Sequence, residues 1–321
     1  MQENHDIYFQ YCLQLAQRSA SVKTNPRVGA LLRYQEQIIG EGWHKTFGKA
    51  HAEVNAIGNV PDHLKHLIPQ STLYVSLEPC NHYGKTAPCT ELIIQNGIKK
   101  VMVGCPDPNE KMSGKSMDYL RKEGVDVQWA ENPNSFLELI RPFAVQQKYK
   151  RPYIILKWAE SRDGFIGQIG QKIKISNEIS DTLVHKWRSE INGILIGHRT
   201  LINDRPQLNV RHWTGHSPEK LVFTHQSKHE GFTSIPFAGC TMNQSLEKLL
   251  REHHCGTLLV EGGRECLQYF IDQKLWDELR LVKNHTLSLE NGIQGPFLRG
   301  ILENRFHFGT DDWFIIRPNA A

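Results

Sequence analysis

Segments with the apolar spacing of strands and of helices alternate along this chain of 321 residues, and the alternation begins again after residue 152. The break is the basic, proline-containing segment Lys148-Tyr149-Lys150-Arg151-Pro152, which is typical of a junction between domains. Strands that alternate with helices predict α/β domains built on a central sheet. We therefore expect two α/β domains, residues 1–147 and 148–321, each close to the usual length of about 150 residues.

Apolar periodicity and turn residues predict where the elements of these domains lie. The predicted helices are 6–20, a short helix from about residue 50, 90–95, 114–123, 135–147, 177–189, 245–254 and 264–273. The predicted strands are 28–32, 38–43, 72–77, 101–104, 125–129, 153–159, 193–197, 220–224, 257–261, 278–283 and 313–317.

The composition excludes several classes of protein. The formal net charge is only +4, and no block of Lys and Arg is long enough to form a basic arm for nucleic acid. No apolar run approaches the roughly 20 residues that span a bilayer, and the first residues lack the features of a signal peptide. Seven scattered cysteines are typical of a reducing compartment. We expect a cytoplasmic protein without nucleic-acid or membrane partners. We also expect these cysteines to be packing residues: Cys12, Cys105, Cys240, Cys255 and Cys266.

The first half carries a cluster of residue types that ligate metals. His51-Ala52-Glu53 is followed by Cys80 and Cys89. One imidazole and two thiolates suit zinc and leave a fourth tetrahedral position for water, whose pKa zinc lowers to about 7. Glu53, near a predicted helix start, is placed to carry a proton from that water to a leaving amine. This arrangement is typical of zinc deaminases, in which H-x-E precedes P-C-x-x-C.

The spacing of the two cysteines departs from that pattern. Eight residues, 81–88, separate Cys80 from Cys89, where the usual pattern has two. Both thiolates can still reach one metal if 81–88 forms a loop and Cys89 begins a helix. The loop contains His82, Gly84 and Lys85, which could reach a substrate.

Several segments of the first half together match one family. They are Asn25-Pro26-Arg27-Val28-Gly29, Gly42-Trp43-His44, His51-Ala52-Glu53, Leu77-Glu78-Pro79-Cys80 with Cys89, and Asp107-Pro108-Asn109. On these segments, residues 5–147 resemble the zinc deaminase of the bifunctional riboflavin-biosynthesis deaminase/reductase family. The long loop between the cysteines distinguishes this family from cytidine and tRNA adenosine deaminases. The resemblance implies a cytidine-deaminase-like three-layer α/β/α domain.

The second half resembles the reductase of the same family through about residue 265. The matching residues are Leu156-Lys157, Ser161, Asp163, Gly164, Gly197, Thr200, Asp204, Pro206, Leu208, Arg211 and Val260-Glu261-Gly262-Gly263. The resemblance implies a dihydrofolate-reductase-like α/β domain that uses NADPH. A G-x-G-x-x-G pattern is absent from the sequence, so a Rossmann domain is not supported. The Gly262-Gly263 pair follows an apolar strand, at the end of a strand where α/β sheets bind ligands.

The family resemblance implies two consecutive reactions on one phosphoribosylaminopyrimidine, a small-molecule substrate. The deaminase removes the 2-amino group of 2,5-diamino-6-(5-phosphoribosylamino)pyrimidin-4(3H)-one as ammonia. The reductase then uses NADPH to reduce the ribosyl group to a ribityl chain. Enzymes with these two domains often self-associate, so we expect a homo-oligomer.

The resemblance also implies roles for single residues, in addition to the zinc ligands His51, Cys80 and Cys89. The expected catalytic residues are Glu53, Lys157, Asp204 and Glu261. The expected cofactor contacts are Ala159, Lys174, Thr200, Asp204, Gly262 and Gly263. The expected substrate contacts are Asn25, His44, His82, Lys85, Thr86, Lys172, Arg188, Leu208, Arg211 and Glu261.

Three positions of the second half depart from the family pattern. Arg162 stands where the family usually has Leu, Lys174 where an aromatic residue is usual, and Arg205 where a second Asp is common. If these substitutions disturb contact with the cofactor, they would lower the activity of the reductase domain.

Two other functions fit parts of the pattern. The chain could be a zinc deaminase of another base or nucleoside, with a non-catalytic binding or dimerisation module as its second half. NADPH oxidation with the deaminated intermediate distinguishes that alternative. A nucleic-acid-binding protein with a structural zinc is the other possibility, and a structural zinc would need a fourth ligand such as His44 or His82. The mild charge and the lack of a basic aromatic stripe argue against it. We favour the bifunctional enzyme.

Overall fold

The structure, a computed structural model, describes residues 5–19, 22–83, 87–109, 112–224, 229–236 and 242–319. The chain divides into two units, Met1–Lys150 and Arg151–Ala321. The division follows the last helix of the first unit, Asn134–Tyr149, which continues beyond its predicted end at residue 147.

The first unit contains five strands in one sheet, in the order β2-β1-β3-β4-β5 along the sheet, among its described residues. Its helices are α1 (Asp6–Gln17), α2 (Ala52–Gly58), α3 (Cys89–Gln95), α4 (Lys115–Lys122) and α5 (Asn134–Tyr149), with a 3₁₀ helix over Asp62–Gln70. Its strands are β1 (Gly29–Tyr34), β2 (Gln37–Trp43), β3 (Thr72–Val75), β4 (Lys100–Val103) and β5 (Asp126–Trp129). β1 is antiparallel to β2 and β3, whereas β3, β4 and β5 run parallel.

Two glycines show that helices cover both faces of this sheet. A Cβ on Gly29 would lie 2.2 Å from the Cys12 carbonyl oxygen of α1, and one on Gly42 would lie 2.3 Å from the Ala56 nitrogen of α2. Gly42 pairs with Ala30, the neighbour of Gly29 on β1. Neighbouring residues of a strand face opposite sides of the sheet, so α1 and α2 lie on opposite faces. The expected three-layer α/β/α arrangement is confirmed.

The second unit is built on a sheet of eight strands among its described residues, in the order β10-β9-β8-β11-β6-β12-β15-β14. Its helices are α6 (Glu178–Glu190), α7 (His198–Asp204), α8 (Met242–Glu252) and α9 (Arg264–Asp272). Its strands are β6 (Tyr153–Glu160), β7 (Phe165–Gly167), β8 (Gly193–Gly197), β9 (Glu219–Thr224), β10 (Thr233–Pro236), β11 (Thr257–Val260), β12 (Glu278–Asn284), β13 (Ile293–Gln294), β14 (Ile301–Phe308) and β15 (Asp311–Arg317).

The direction of these strands determines where ligands can bind. The described strands from β10 to β12 in the sheet order run parallel, and at the other edge β15 pairs antiparallel with both β12 and β14. The central strands are buried through residues such as Ile154, Leu195 and Leu258, as expected for parallel strands covered on both faces. The carboxyl ends of β6, β8 and β11 therefore meet at one edge of the sheet, where α/β folds bind ligands.

The sequence analysis did not predict the 3₁₀ helix, α7, β7, β10, β13 or β14. The helix α7 has no buried residue, and β14 is exposed along almost its whole length. Neither segment therefore shows the apolar periodicity on which the predictions rest. Within the part of the chain that the structure describes, no helix is both long enough and apolar enough to cross a membrane.

Candidate functional sites

His51, Cys80 and Cys89 meet in the first unit. His51 precedes the first residue of α2, Cys89 is the first residue of α3, and Cys80 lies in the loop between β3 and α3. The Nδ1 atom of His51 lies 3.5 Å from the Cys80 Sγ and 3.4 Å from the Cys89 Sγ. The expectation that Cys89 begins a helix is thus confirmed.

This donor set fits zinc. One nitrogen and two sulfurs lie within 4.8 Å of one another, a span that a single ion with ligands about 2 Å away can draw together. Among the described residues, no fourth His, Cys, Asp or Glu joins this group. A protein site with three ligands leaves a coordination position open, which is typical of catalytic rather than structural zinc.

His44 was, with His82, a candidate for a fourth ligand, but both of its ring nitrogens have other partners. Nδ1 lies 3.0 Å from the Ala50 carbonyl oxygen, and Nε2 lies 2.9 Å from the Asn25 Nδ2. Because a carbonyl only accepts, Nδ1 carries the proton and Nε2 accepts from the Asn25 amide. Burial lowers the pKa of His44, and the nearby His51 lowers it further, so the ring stays neutral. The His44 and His51 rings lie edge to face, 5.8 Å apart, so the substrate contacts expected at Asn25 and His44 border the metal ligands.

The thiol of Cys80 is prepared for metal binding. The pKa of Cys80 is lowered, because the Cys89 thiol and the His51 ring donate hydrogen bonds to its sulfur, more than offsetting its burial. The backbone N–H of Cys89 also points to the Cys80 Sγ at 3.3 Å. A thiolate, rather than a thiol, is the form that ligates zinc.

Glu53 lies in the first turn of α2 and is only 4% exposed. Burial, together with the negative charge that Cys80 carries as a thiolate, raises the pKa of Glu53 to about 7. A hydrogen bond from Cys89 acts in the opposite direction. The carboxyl group therefore borders the ligand set and exchanges a proton readily near neutral pH, as a proton carrier must.

Glu78 has a role that the sequence analysis missed. Its buried carboxylate accepts hydrogen bonds from the backbone N–H groups of Asp107, Gly114 and Ser116, at 2.9–3.2 Å, and from the Ser116 hydroxyl. It therefore holds Asp107 and the start of α4 beside the Cys80 loop. A carboxylate between apolar Leu77 and Pro79, two residues before a ligand, was the available signal.

Replacing either thiolate should remove the metal. We expect Cys80→Ser and Cys89→Ser to lower the zinc content of the purified chain at least tenfold, because a hydroxyl does not replace a thiolate as a zinc ligand. Metal analysis by mass spectrometry measures the content. Cys105→Ala, at a buried cysteine outside the ligand set, is the matched control and should retain its zinc. Normal zinc in both serine variants would refute the ligand assignment.

In the second unit, Lys157, Arg188 and Glu261 form a buried charge cluster. Arg188 of α6 holds Glu261 with two hydrogen bonds, Nε to Oε1 at 3.1 Å and Nη2 to Oε2 at 2.8 Å. Burial lowers the pKa of Lys157, although the Glu261 charge partly restores it. Burial raises the pKa of Glu261, but Lys157 and Arg188 outweigh it and the net shift is downward. The cluster therefore places in the second half of β6 a cation whose pKa lies below that of an ordinary lysine.

His185, on the same helix as Arg188, holds the 208–212 segment. Its Nδ1 accepts from the Arg211 backbone N–H at 3.2 Å, and the ring also hydrogen-bonds to the Asn209 backbone. The Arg211 guanidinium is exposed and donates to the Asn209 side chain. Leu208 is buried with φ +50°, a backbone conformation that costs about 1 kcal/mol for a residue with a side chain. His185 thus positions two predicted substrate contacts, Leu208 and Arg211.

The buried His185 should make the second unit sensitive to mild acid. Burial, with Arg188 and Arg211 nearby, lowers the pKa of His185 to about 4, against about 6.5 in an unfolded chain. Between those values the unfolded state binds the extra proton, so stability is full above about pH 6.5 and falls as the pH drops toward 4. We expect the melting temperature to fall less between pH 7 and pH 5 in His185→Gln than in the wild type, as calorimetry would measure. Equal losses would contradict this origin.

Glycines bring the ends of β8 and β11 close together. A Cβ on Gly262 would lie 2.7 Å from the Cβ of Cys266, and Gly197 also faces that side chain. The Gly263 N–H donates to the Thr200 hydroxyl at 3.1 Å, which joins α7 to the start of α9. A glycine turn at the carboxyl end of a parallel sheet is a position at which α/β folds bind ligands.

The structure leaves the other predicted site residues more widely spread. Ala159 lies on β6, two residues after Lys157 and on the same face of the strand. Asp204 is exposed at the last position of α7. Lys174 binds Asp181 of α6 at 2.8 Å, Lys172 is exposed, and His82 is exposed. Lys85 and Thr86, with Gly84 and Cys240, lie outside the described residues. Of the packing cysteines, Cys12, Cys105 and Cys255 are buried and Cys266 is partly buried.

Two family models match separate parts of the chain. Residues 2–105 match the cytidine and deoxycytidylate deaminase zinc-binding region. Residues 152–284 match the RibD C-terminal domain. The first match contains the zinc-ligand set and Glu53, and the second contains the charge cluster of Lys157, Arg188 and Glu261.

Known proteins resemble both units of the chain. The riboflavin biosynthesis protein RibD of Aquifex aeolicus is 33% identical over 305 residues, which cover 85% of this chain and 84% of the relative. The RibD of Synechocystis is 37% identical over 217 residues, 66% of this chain and 57% of the relative. A diaminohydroxyphosphoribosylaminopyrimidine deaminase/5-amino-6-(5-phosphoribosylamino)uracil reductase from Thermotoga maritima has a solved structure with TM-score 0.88 and 28% identity, covering 99% of this chain and 100% of that one. The α/β fold expected for both halves is therefore confirmed.

Proposed function

Because this chain belongs to the RibD family of riboflavin biosynthesis proteins, we propose that it catalyses two consecutive steps of that pathway. The first unit deaminates 2,5-diamino-6-(5-phosphoribosylamino)pyrimidin-4(3H)-one and releases ammonia. The second unit reduces the ribosyl group of the product to a ribityl chain with NADPH. The chain is thus a zinc-dependent hydrolase joined to an NADPH-dependent oxidoreductase.

One observation carries the first activity, which is the open three-ligand set of His51, Cys80 and Cys89 beside a buried carboxyl group. These residues would hold zinc, which would act as a Lewis acid and make a bound water nucleophilic at neutral pH. Glu53 takes a proton from the attacking water and delivers it to the 2-amino nitrogen, so that the leaving group departs as ammonia. His44 is neutral and fixed by Ala50 and Asn25, so it borders the pyrimidine without competing for zinc.

The second activity is assigned to the charge cluster of the second unit. Opening and reduction of the ribosyl ring adds one hydride and one proton, and NADPH supplies the hydride. Lys157 supplies the proton, because burial makes its ammonium group more acidic while Glu261 keeps it charged. Arg188 holds Glu261 in place through two hydrogen bonds. Gly262 and Gly263, with the Gly263 N–H held by the Thr200 hydroxyl, would accommodate the cofactor phosphates.

A coupled assay on the purified zinc-loaded chain tests both steps together. The assay supplies the diaminopyrimidinone ribosyl phosphate and NADPH and follows ammonia and NADPH absorbance. We expect ammonia release first, followed by loss of NADPH. Ammonia without NADPH loss would leave a deaminase with a non-catalytic second half, the alternative that the RibD C-terminal match at residues 152–284 disfavours. Absence of ammonia would refute the proposal.

Lys157→Ala separates the two activities. We expect it to lower the rate of reduction by about 10²-fold or more, because a positioned general acid contributes about that much, and to leave ammonia release unchanged. Lys172→Ala, an exposed lysine of the same unit that is also a proposed substrate contact, should raise the KM for the deaminated intermediate rather than lower kcat. Equal damage to both reactions by Lys157→Ala would contradict separate sites.

The cellular setting follows from the same proposal. We propose that the chain acts in the cytoplasm, where NADPH is available, and that it self-associates. Light scattering on the eluting protein would measure the mass of the assembly, and a mass of about 37 kDa, that of a single chain, would refute self-association. Cell fractionation would locate the activity.

A further inference from the structure

Two histidines and an aspartate outside the two sites meet beside the β14–β15 hairpin. His285 follows the end of β12, His307 lies near the end of β14, and Asp312 lies near the start of β15. One donor atom from each lies within 4.8 Å of the other two. We propose that these three residues form a second metal site, which binds a first-row divalent transition metal such as Zn²⁺.

The donor types and their spacing support such a site. Two imidazoles and one carboxylate suit zinc and its neighbours, whereas magnesium and calcium prefer oxygen ligands alone. The His307 Nδ1 and the Asp312 Oδ1 are 3.0 Å apart, close to the roughly 3.4 Å between two ligands on a tetrahedral zinc. The His285 and His307 rings stack with their centroids 5.2 Å apart. The His307 side chain is 63% exposed, which leaves it room to turn toward an ion.

His285 provides an independent observation. Its Nδ1 is buried and has no hydrogen-bond partner among the described residues. A buried polar atom without a partner destabilises the folded state, and a metal bond to this nitrogen would satisfy it. The backbone N–H of His285 donates to the Thr310 carbonyl at 3.0 Å, so the residue is held against the hairpin turn.

Arg305 both supports and limits the site. Its Nη2 lies 3.0 Å from the Asp312 Oδ2, the oxygen that does not face His307. A ligating carboxylate is usually oriented by such a hydrogen bond on its second oxygen. The guanidinium charge also repels a divalent cation, and the site has no thiolate. We therefore expect weaker metal binding here than at His51, Cys80 and Cys89.

The site would tie together parts of the second unit that are distant in sequence. The neighbouring Asp311 accepts hydrogen bonds from the Asn177 N–H at 2.8 Å and from the Ser180 hydroxyl at 2.6 Å, at the start of α6. The hairpin therefore already holds the helix that carries His185 and Arg188. A metal that joins the end of β12 to this hairpin should raise the melting temperature of the unit, since a ligand that binds only the folded state stabilises it.

Calorimetric titration of the full chain with ZnCl₂ tests the site. The protein is first loaded with zinc at the thiolate site and freed of weakly bound metal with a mild chelator. We expect one further zinc ion to bind per chain, more weakly than the zinc at the thiolate site. MgCl₂ should not give this binding. In His307→Ala the affinity for this further zinc ion should fall at least about tenfold. His216→Ala, at an exposed histidine of the same unit, is the matched control and should bind as the wild type does.

Two further variants keep the result decisive. His285→Gln should weaken the additional equivalent as His307→Ala does, and circular dichroism would verify that each variant is folded. Cys89→Ser should lose the tight equivalent and retain the weak one, which separates this site from the deaminase zinc. If the chain binds only the zinc ion at the thiolate site and no second one, the proposal is overturned. An additional equivalent that neither His307→Ala nor His285→Gln weakens would overturn it as well.

Discussion

Glu53→Gln should keep its zinc and lose ammonia release by a factor of about 10²–10⁴, the usual contribution of a positioned proton carrier. The amide has nearly the same shape as the carboxyl group and leaves His51, Cys80 and Cys89 unchanged. It cannot take a proton from water and pass it to the amine. Steady-state ammonia release, with zinc content measured on the same sample, tests the expectation.

Two controls isolate the role of Glu53. Asp62→Asn replaces a carboxylate whose side chain is 94% exposed and pairs with the exposed Lys65, and it should not change ammonia release. Reduction of separately prepared deaminated intermediate should also be unchanged in Glu53→Gln. A variant that releases ammonia at the wild-type rate while zinc-loaded would show that another group carries the proton.

Glu261→Gln should destabilise the second unit by about 3 kcal/mol or more and abolish reduction. Arg188 and Glu261 are only 11% and 10% exposed, and removal of one partner leaves the other charge buried without compensation. Lys157 loses the anion that raises its pKa, so it becomes neutral more readily and cannot supply the proton. Urea unfolding measures the stability, and NADPH absorbance measures the reduction.

The unit contains a matched control for this pair. Arg199 and Glu265 also form an ion pair, but their side chains are 79% and 77% exposed. Exposed pairs contribute about 0–1 kcal/mol because water screens both charges. Glu265→Gln should therefore change the free energy of unfolding by less than about 1 kcal/mol. Ammonia release should be unchanged in both Glu261→Gln and Glu265→Gln. Similar losses in the two variants would mean that the burial of the Arg188–Glu261 pair is not what matters.

Local sequence patterns predicted most of the elements that carry the zinc-ligand set. The helix beginning near residue 50, the strand from residue 72 and the helix near residue 90 correspond to α2, β3 and α3. Their apolar spacing is a property of each segment by itself. The ligand types were predictable for the same reason, since one imidazole and two thiolates in this spacing suit zinc.

Other parts of the second unit had no local signal. Thr200 and Asp204 lie on α7, which buries no residue and was not predicted as a helix. His185 was not singled out, because its role depends on contact with the backbone of Arg211, 26 positions away along the chain. The exposed edge strand β14, which carries His307, also lacked a pattern.

The sequence by itself determined the α/β class, the residues available to bind zinc and the position of Glu53 beside them, because each depends on neighbours within a few residues. Only the tertiary structure decided that His51 presents Nδ1 to both sulfurs, that His44 is occupied by Ala50 and Asn25, and that Arg188 rather than Lys157 holds Glu261. These facts depend on side chains from distant segments, whose distances and burial are set when sheets and helices pack together.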